Sequence, residues 1–237
     1  MANVISVMQR YELKYLLTPQ QLEFLKGAIR GRMELDCYGR CPILSLYYDT
    51  PDYRLIRNSL EKPPFKEKIR LRSYGLARGS SPVYLELKRK AKGLVYKRRV
   101  ATKKEDAESF FQRKSDLCAE GQIAKEISYF RDFYQNLVPA CLIIVDREAY
   151  YEVGGEVRLT IDTNPRYRVD HLDLSTSLDG TPLLEEGGAI VEIKIPGAMP
   201  LWLSHILSEG GIYKTSFSKY GHAYVEQVEK LRRAERA

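Results

Sequence analysis

Residues 65–74 read FKEKIRLRSY, from Phe65 to Tyr74. In an extended backbone successive side chains point to opposite faces, so Lys68, Arg70 and Arg72 share one face and Ile69 and Leu71 the other. One such strand describes an apolar side on a core and a basic side in water. The same layout returns along the chain, however, with acids and cations on one side and Ile, Leu or Val on the other. One explanation has to cover all of these strands.

Working outward, Val4 to Leu17 alternates so that Arg10, Glu12 and Lys14 oppose Tyr11, Leu13 and Tyr15. Thr18-Pro19-Gln20-Gln21 is a capping box with proline at the first helical position, predicting a helix to about Arg30. Ile43 to Asp49 reads as a buried strand, and Thr50-Pro51 opens a short helix through Ile56. After a Gly/Ser-rich loop over 75–82, residues 82–100 read as a hairpin turning at Ala-Lys-Gly, with Glu86, Lys88 and Lys90 on one face. On its return arm either Lys97 and Arg99 or Tyr96 and Arg98 share that face, and we assign Lys97 and Arg99. A capping box at Thr102–Glu105 and an amphipathic stretch over 121–137 predict two helices. Strands resume at Ala140 with CLIIVDREAYY, which carries Arg147 between Asp146 and Glu148. EVRLTID follows, with Glu156, Arg158, Thr160 and Asp162 on one face, and then AIVEIKIPG with Glu192 and Lys194. Residues 164–188 are polar and rich in turn formers, 200–208 read as a helix, and YKTSFSKY leads into a C-terminal helix.

Composition narrows the function. The chain has 237 residues, 44% of them hydrophobic, with 38 Lys and Arg against 31 Asp and Glu for a net charge of +7. That length supports one large domain spanning 1–237, and the charge suits an anionic partner. Cys37, Cys41, Cys118 and Cys141 lack CxxC spacing, so reduced thiols are expected and zinc is not. No apolar run reaches the 18 or more residues of a membrane helix and MANVISVMQR lacks a leader pattern, so a soluble, cytoplasmic protein is expected. The chain contains no Gly-rich loop ending in Gly-Lys-Ser/Thr, no HExxH and no GxGxxG. His171, His205 and His222 show no ligand spacing.

The repeated layout predicts an α+β fold in which an antiparallel sheet closes into a β-barrel tunnel with helices packed outside. Its lumen would hold Lys68, Arg70, Arg72, Lys88, Arg147, Arg158 and Lys194, with Glu12, Glu86 and Glu192 among them. Uncompensated buried cations are costly, so such a lumen calls for a polyanion. Arginine matches phosphate through its planar fork, and a few carboxylates among many cations fit a divalent metal.

The segments RYELKY, YYDTPDYR, KIRLR, LELKRK, REAY, EVRLTID, VEIKIPG and SFSKY, in that order, resemble the vacuolar transporter chaperone (VTC) type of polyphosphate polymerase among the triphosphate tunnel metalloenzymes. The resemblance covers nearly the whole chain. It implies a phosphotransferase that adds the γ-phosphoryl group of ATP to inorganic polyphosphate, using Mn2+ or Mg2+. It also implies that Lys14, Arg70, Arg72, Lys88, Arg147, Arg158, Lys194 and Lys219 hold phosphates and that Glu192 holds the metal, with Glu12 second. Lys97 and Ser218 would be further contacts, and we add Lys68, Arg99 and Arg10 as substrate-binding candidates. Tunnel triphosphatases open with Glu-x-Glu-x-Lys, whereas this chain has Arg10-Tyr-Glu12-Leu-Lys14. One carboxylate fewer favours transfer to a phosphate chain over transfer to water. A triphosphate hydrolase of the same fold and a non-catalytic polyanion-binding module are the alternatives. Nucleic acid is not the expected partner, and any movement of polymer across a membrane would need a partner protein.

Overall fold

The computed structural model describes residues 11–91, 94–117 and 119–234. The elements in chain order are β1 (Tyr11–Leu17), α1 (Pro19–Ala28), β2 (Met33–Asp49), α2 (Arg54–Leu60), β3 (Phe65–Tyr74), β4 (Val83–Ala91), β5 (Leu94–Thr102), α3 (Lys104–Phe111) and α4 (Gln122–Tyr134). They continue with β6 (Val138–Glu152), β7 (Arg158–Arg168), β8 (Thr181–Pro182), β9 (Ala189–Ile195), α5 (Leu201–Glu209), β10 (Lys214–Thr215) and α6 (Lys219–Ala234). The fold is therefore an antiparallel, β-rich α+β arrangement, as the alternation predicts.

The hydrogen-bonded strand order is β10-β1-β9-β7-β6-β2-β3-β4-β5, with β8 beside β7. The order has two ends, β10 and β5, and among the described residues no ladder joins them. The expected closed barrel is thus not supplied by strand pairing. Closure by pairing needs two long edges, and β10 has only two residues.

The contacts divide the chain into two compact units interleaved in sequence. Of the described residues, the first comprises 11–41, 146–164 and 184–217. Tyr15, Leu17, Leu159, Ile161, Val191 and Ile193 turn from its sheet onto Leu25 and Ile29 of the α1 region and Leu203 and Leu207 of α5. Helix α1 starts where the capping box puts it: the Thr18 hydroxyl accepts from Gln21 N (3.3 Å) and the Gln21 side chain accepts from Thr18 N (3.1 Å).

The second unit comprises the described residues within 42–145, 165–183 and 218–234. Ile69 and Leu71 of β3, Leu85 and Leu87 of β4, and Leu44 and Leu46 of β2 form its core with Phe110 of α3 and Ile127 and Phe130 of α4. Ile69, Leu71, Leu85 and Leu87 are fully buried. Each such side chain contributes roughly 1.5–3 kcal/mol relative to exposure.

Several boundaries differ from expectation, and β7 is one of them, running to Arg168 into the 164–188 stretch read as turns. Strand β2 begins at Met33 rather than Ile43, because MELDCYGRCP carries too many polar and turn-forming residues to read as a strand. Helix α2 starts at Arg54 rather than Thr50, with Tyr53 in the left-handed region (φ 59°). Its first amide, Arg54 N, goes to the Thr50 hydroxyl (2.9 Å), and the next two go to Asp49, whose carboxylate accepts from Leu55 N (2.8 Å) and Ile56 N (3.0 Å). Helix α3 has Lys103 at its N-cap with no side-chain cap, because Thr102 remains in β5; Glu105 and Asp106 in its first turn suit the helix dipole. Among the described residues no helix is long and apolar enough to cross a membrane.

Candidate functional site

In the second unit β3 pairs with β4 through Lys68↔Lys88, Arg70↔Glu86 and Arg72↔Tyr84, and β4 pairs with β5 through Glu86↔Arg99 and Lys88↔Lys97. Residues opposed in an antiparallel ladder share a face. Lys68, Arg70, Arg72, Glu86, Lys88, Lys97 and Arg99 therefore stand on one side of three adjacent strands, away from the Ile69 and Leu87 core. Arg98 stands on the other side, where it and Arg89 reach Glu126 of α4 at 2.9 and 3.5 Å.

Four cations on this face, Arg70, Arg72, Lys97 and Arg99, meet one carboxylate, Glu86, which is 2% exposed. Arg70 donates to Glu86 Oε2 through Nε (2.9 Å) and Nη2 (2.7 Å), and Arg72 Nε lies 3.7 Å from the same oxygen. Lys97 Nζ (2.9 Å) and Arg99 Nε (2.7 Å) take Oε1. Burial alone would raise the Glu86 carboxyl, but Arg70, Arg72 and Lys97 hold it far below the usual range. The third Arg70 nitrogen, Nη1, donates to the Tyr47 hydroxyl at 2.9 Å, with Tyr47 opposite Arg70 on β2. Burial would raise the Tyr47 phenol, yet Arg70, Lys68 and Arg72 draw it down to about 8. Burial, reinforced by Arg72 and Arg99, pulls the Lys97 ammonium down to about 8 despite Glu86.

The SFSKY segment joins this face through its tyrosine. Tyr220 stacks on Tyr47 with ring centroids 4.7 Å apart and donates to Asp49 Oδ2 at 2.8 Å. The start of α6 is pinned to β2 in this way. Ser218, directly before α6, accepts from Lys68 Nζ (3.1 Å) and from Gly221 N (3.2 Å). Lys219 is the first residue of α6 and half-buried.

The first unit carries a second charged face. Glu12↔Lys194 and Lys14↔Glu192 oppose each other across β1 and β9, and Arg158↔Lys194 and Thr160↔Glu192 across β7 and β9. Lys14 Nζ lies 3.2 Å from Glu192 Oε1 and 3.9 Å from Glu12 Oε1, and donates to Phe217 O at 3.2 Å. Arg147 forks onto the buried Asp162, fifteen residues further on, at 2.6 and 2.7 Å. Asp146 meets Arg40 (3.2 Å), and Glu148 meets Lys26 (2.7 Å). Arg158 lies over the Tyr151 ring at 5.4 Å.

The predicted residues thus gather as two sets. Lys68, Arg70, Arg72, Lys88, Lys97, Arg99, Ser218 and Lys219 belong to the second unit, and Glu12, Lys14, Arg147, Arg158, Glu192 and Lys194 to the first. Arg10 lies outside the described residues, as do Cys118 and the Lys92-Gly93 part of the hairpin turn. Sequence reasoning missed Tyr47 and Tyr220, which the alternation hid among seventeen tyrosines. It placed Glu86 in the lumen, as a metal ligand or as a cross-strand partner of neighbouring cations, and in the structure four cations share it.

Among the described residues no group of three or more His, Cys, Asp or Glu converges. Glu12 and Glu192, both within reach of the Lys14 ammonium, form a two-carboxylate donor set. Mg2+ and similar hard cations are commonly held by one or two carboxylates with phosphate oxygens and water completing the shell, and these two are the residues of this face that could contribute to one. Glu86 has both its oxygens engaged by four cations.

The fold is similar to that of a putative adenylate cyclase from Bacillus halodurans (14% identity, 89% of this chain and 96% of that one, TM-score 0.54). It is also similar to the putative adenylyl cyclase HpAC1 from Hippeastrum, described as having a dominant triphosphatase activity (16% identity, 88% and 92% covered, TM-score 0.53). A search of curated proteins found no match. The VTC domain model matches residues 9–227, nearly the whole length, and the chain belongs to the VTC domain family.

Proposed function

We propose that this protein is a phosphotransferase that passes the γ-phosphoryl group of ATP to the end of a growing inorganic polyphosphate chain. The observation that carries this reading is the second unit's charged face, which lines up Lys68, Arg70, Arg72, Lys88, Lys97 and Arg99 on one side of three adjacent strands, four of them gathered on Glu86. A triphosphate brings negative charge that complements such a face. Phosphoryl transfer through a loose transition state needs alignment and charge neutralisation more than a protein nucleophile, and no Ser or Cys is assigned that role.

Arg72, Lys97 and Arg99 offer fixed positive charge to phosphate oxygens, and Arg70 is braced between Glu86 and Tyr47 so that its guanidinium does not reorganise as charge shifts. Lys68 and Ser218, already bonded to each other, add a donor pair beside them. On the first unit's face Lys14, Arg158 and Lys194 form a second phosphate-binding row, and Arg147 is held in place by Asp162. Glu12 and Glu192 are the residues we assign to Mn2+ or Mg2+, which when bound supplies charge neutralisation at phosphate oxygens. ATP and polyphosphate are accordingly the proposed partners.

A second reading, hydrolysis of a triphosphate, draws on the activity described for the Hippeastrum protein. Incubation of purified protein with ATP and manganese, with products resolved by length on a gel, separates the two. Chains that lengthen with time are expected. Release of orthophosphate without any lengthening rejects polymerisation in favour of hydrolysis.

A further inference from the structure

Glu86 occupies the middle of β4, opposite Arg70 on one side and Arg99 on the other. Both of its oxygens are shared between cations: Arg70 and Arg72 at Oε2, Lys97 and Arg99 at Oε1. These four side chains come from two strands flanking β4, and four like charges confined to one sheet face repel one another. Without an anion among them each long side chain gains by swinging toward water. With Glu86 in place they are held in one cluster, and the Tyr47 hydroxyl accepts from Arg70 Nη1.

We propose that Glu86 is a positioning residue that acts as a built-in counter-anion: it keeps Arg70, Arg72, Lys97 and Arg99 assembled before any phosphate arrives, and it limits how tightly phosphates are then held. The limit follows from charge. A carboxylate beside the cations repels the incoming polyanion, so the cluster is preorganised but not maximally positive. An enzyme that must release or shift its product along a chain benefits from that compromise, because binding ground state and transition state equally well adds nothing to turnover. The turnover half of this inference rests on the phosphoryl-transfer reading above, and the binding half does not.

Glu86→Gln keeps the shape of the side chain and removes its charge. Calorimetric titration of the metal-free protein with inorganic tripolyphosphate reads binding alone, and steady-state rates with saturating ATP and manganese read turnover. The expected result is a split: tripolyphosphate binds roughly 3–30-fold tighter, from one fewer repelling charge a few ångströms away, while turnover falls roughly tenfold or more because the cations are no longer held in register. Glu86→Asp, which keeps the charge on a shorter arm, is expected to return the affinity to within about twofold of the native protein while turnover stays depressed.

Weaker tripolyphosphate binding by a folded Glu86→Gln protein overturns the proposal, as does unchanged turnover. A shift in the manganese concentration needed for half activation overturns it too, by making Glu86 a metal ligand. Should Glu86→Gln not fold, Glu86→Asp decides, and a loss of affinity in step with the loss of turnover counts against the proposal. If the native protein turns over no triphosphate while Glu86→Gln still binds tighter, the phosphoryl-transfer reading fails and the counter-anion role in binding stands.

Discussion

Arg70 makes three hydrogen bonds to protein, two to Glu86 and one to Tyr47. A lysine cannot reproduce that planar fork. Arg70→Lys is therefore expected to lower turnover about 100-fold, the scale for losing one preorganised donor, with a melting temperature that moves far less than for Arg70→Ala. Rate measurements beside thermal unfolding check this, and an Arg70→Lys protein with native turnover would contradict it. Two neighbours also give the face a pH dependence. Lys97 and Tyr47 both titrate near 8, and a phosphate ligand favours the charged ammonium and the neutral phenol. As pH rises through about 8 the ammonium loses its charge and the phenol gains a negative one, so affinity for tripolyphosphate falls on that side and is full below it. Titrations between about pH 6.5 and 9.5 should show the drop, and Tyr47→Phe should make it shallower. Equal affinity across that range would refute the assignment. The cations themselves were visible in FKEKIRLRSY and LELKRK because a period of two depends on nothing beyond the backbone. Which carboxylate answers them was not visible, since Arg70 opposite Glu86 is set by strand register.

Helix ends tell a similar story one level up. The Thr18–Gln21 capping box forms as its residues predict, because all of its partners lie within four positions. Thr18→Ala should cost about 1 kcal/mol, measured by chemical unfolding. Helix α2 does not start at its threonine and proline, because Asp49 from β2 supplies the acceptors for Leu55 N and Ile56 N and also takes the Tyr220 hydroxyl. That one carboxylate ties a strand end, α2 and the start of α6 together. Asp49→Ala strands several buried donors at once, and a loss of about 3 kcal/mol or more is expected from the size of each orphaned group. Since α6 begins at Lys219, directly after Ser218, the same substitution should also weaken tripolyphosphate binding, read by calorimetry. Native affinity in a destabilised Asp49→Ala protein would show that the α6 start does not contribute to the site.

For the molecule as a whole, the net charge of +7 and the two basic faces make association with a polyanion electrostatic in origin. Raising salt from about 0.05 to 0.5 M shortens the screening length about threefold and is expected to weaken tripolyphosphate binding by more than tenfold. Chelation of divalent metal should abolish turnover with ATP while leaving metal-free tripolyphosphate binding measurable, because the cation faces do not depend on Glu12 or Glu192 holding an ion. Loss of both together would tie the cation faces themselves to metal.

Strand alternation, the Thr18–Gln21 cap and the identity of the charged sides followed from the chain alone, since each depends on neighbours a few residues apart and on a backbone geometry common to all proteins. The open strand order, the division into two units, the sharing of Glu86 by four cations and the capture of Arg147 by Asp162 came only with tertiary structure. Those features are decided by which strands pair and in what register. Hydrogen bonds between strands are the same for every side chain, so the pairing is selected by the packing of the completed core rather than by any local stretch of sequence.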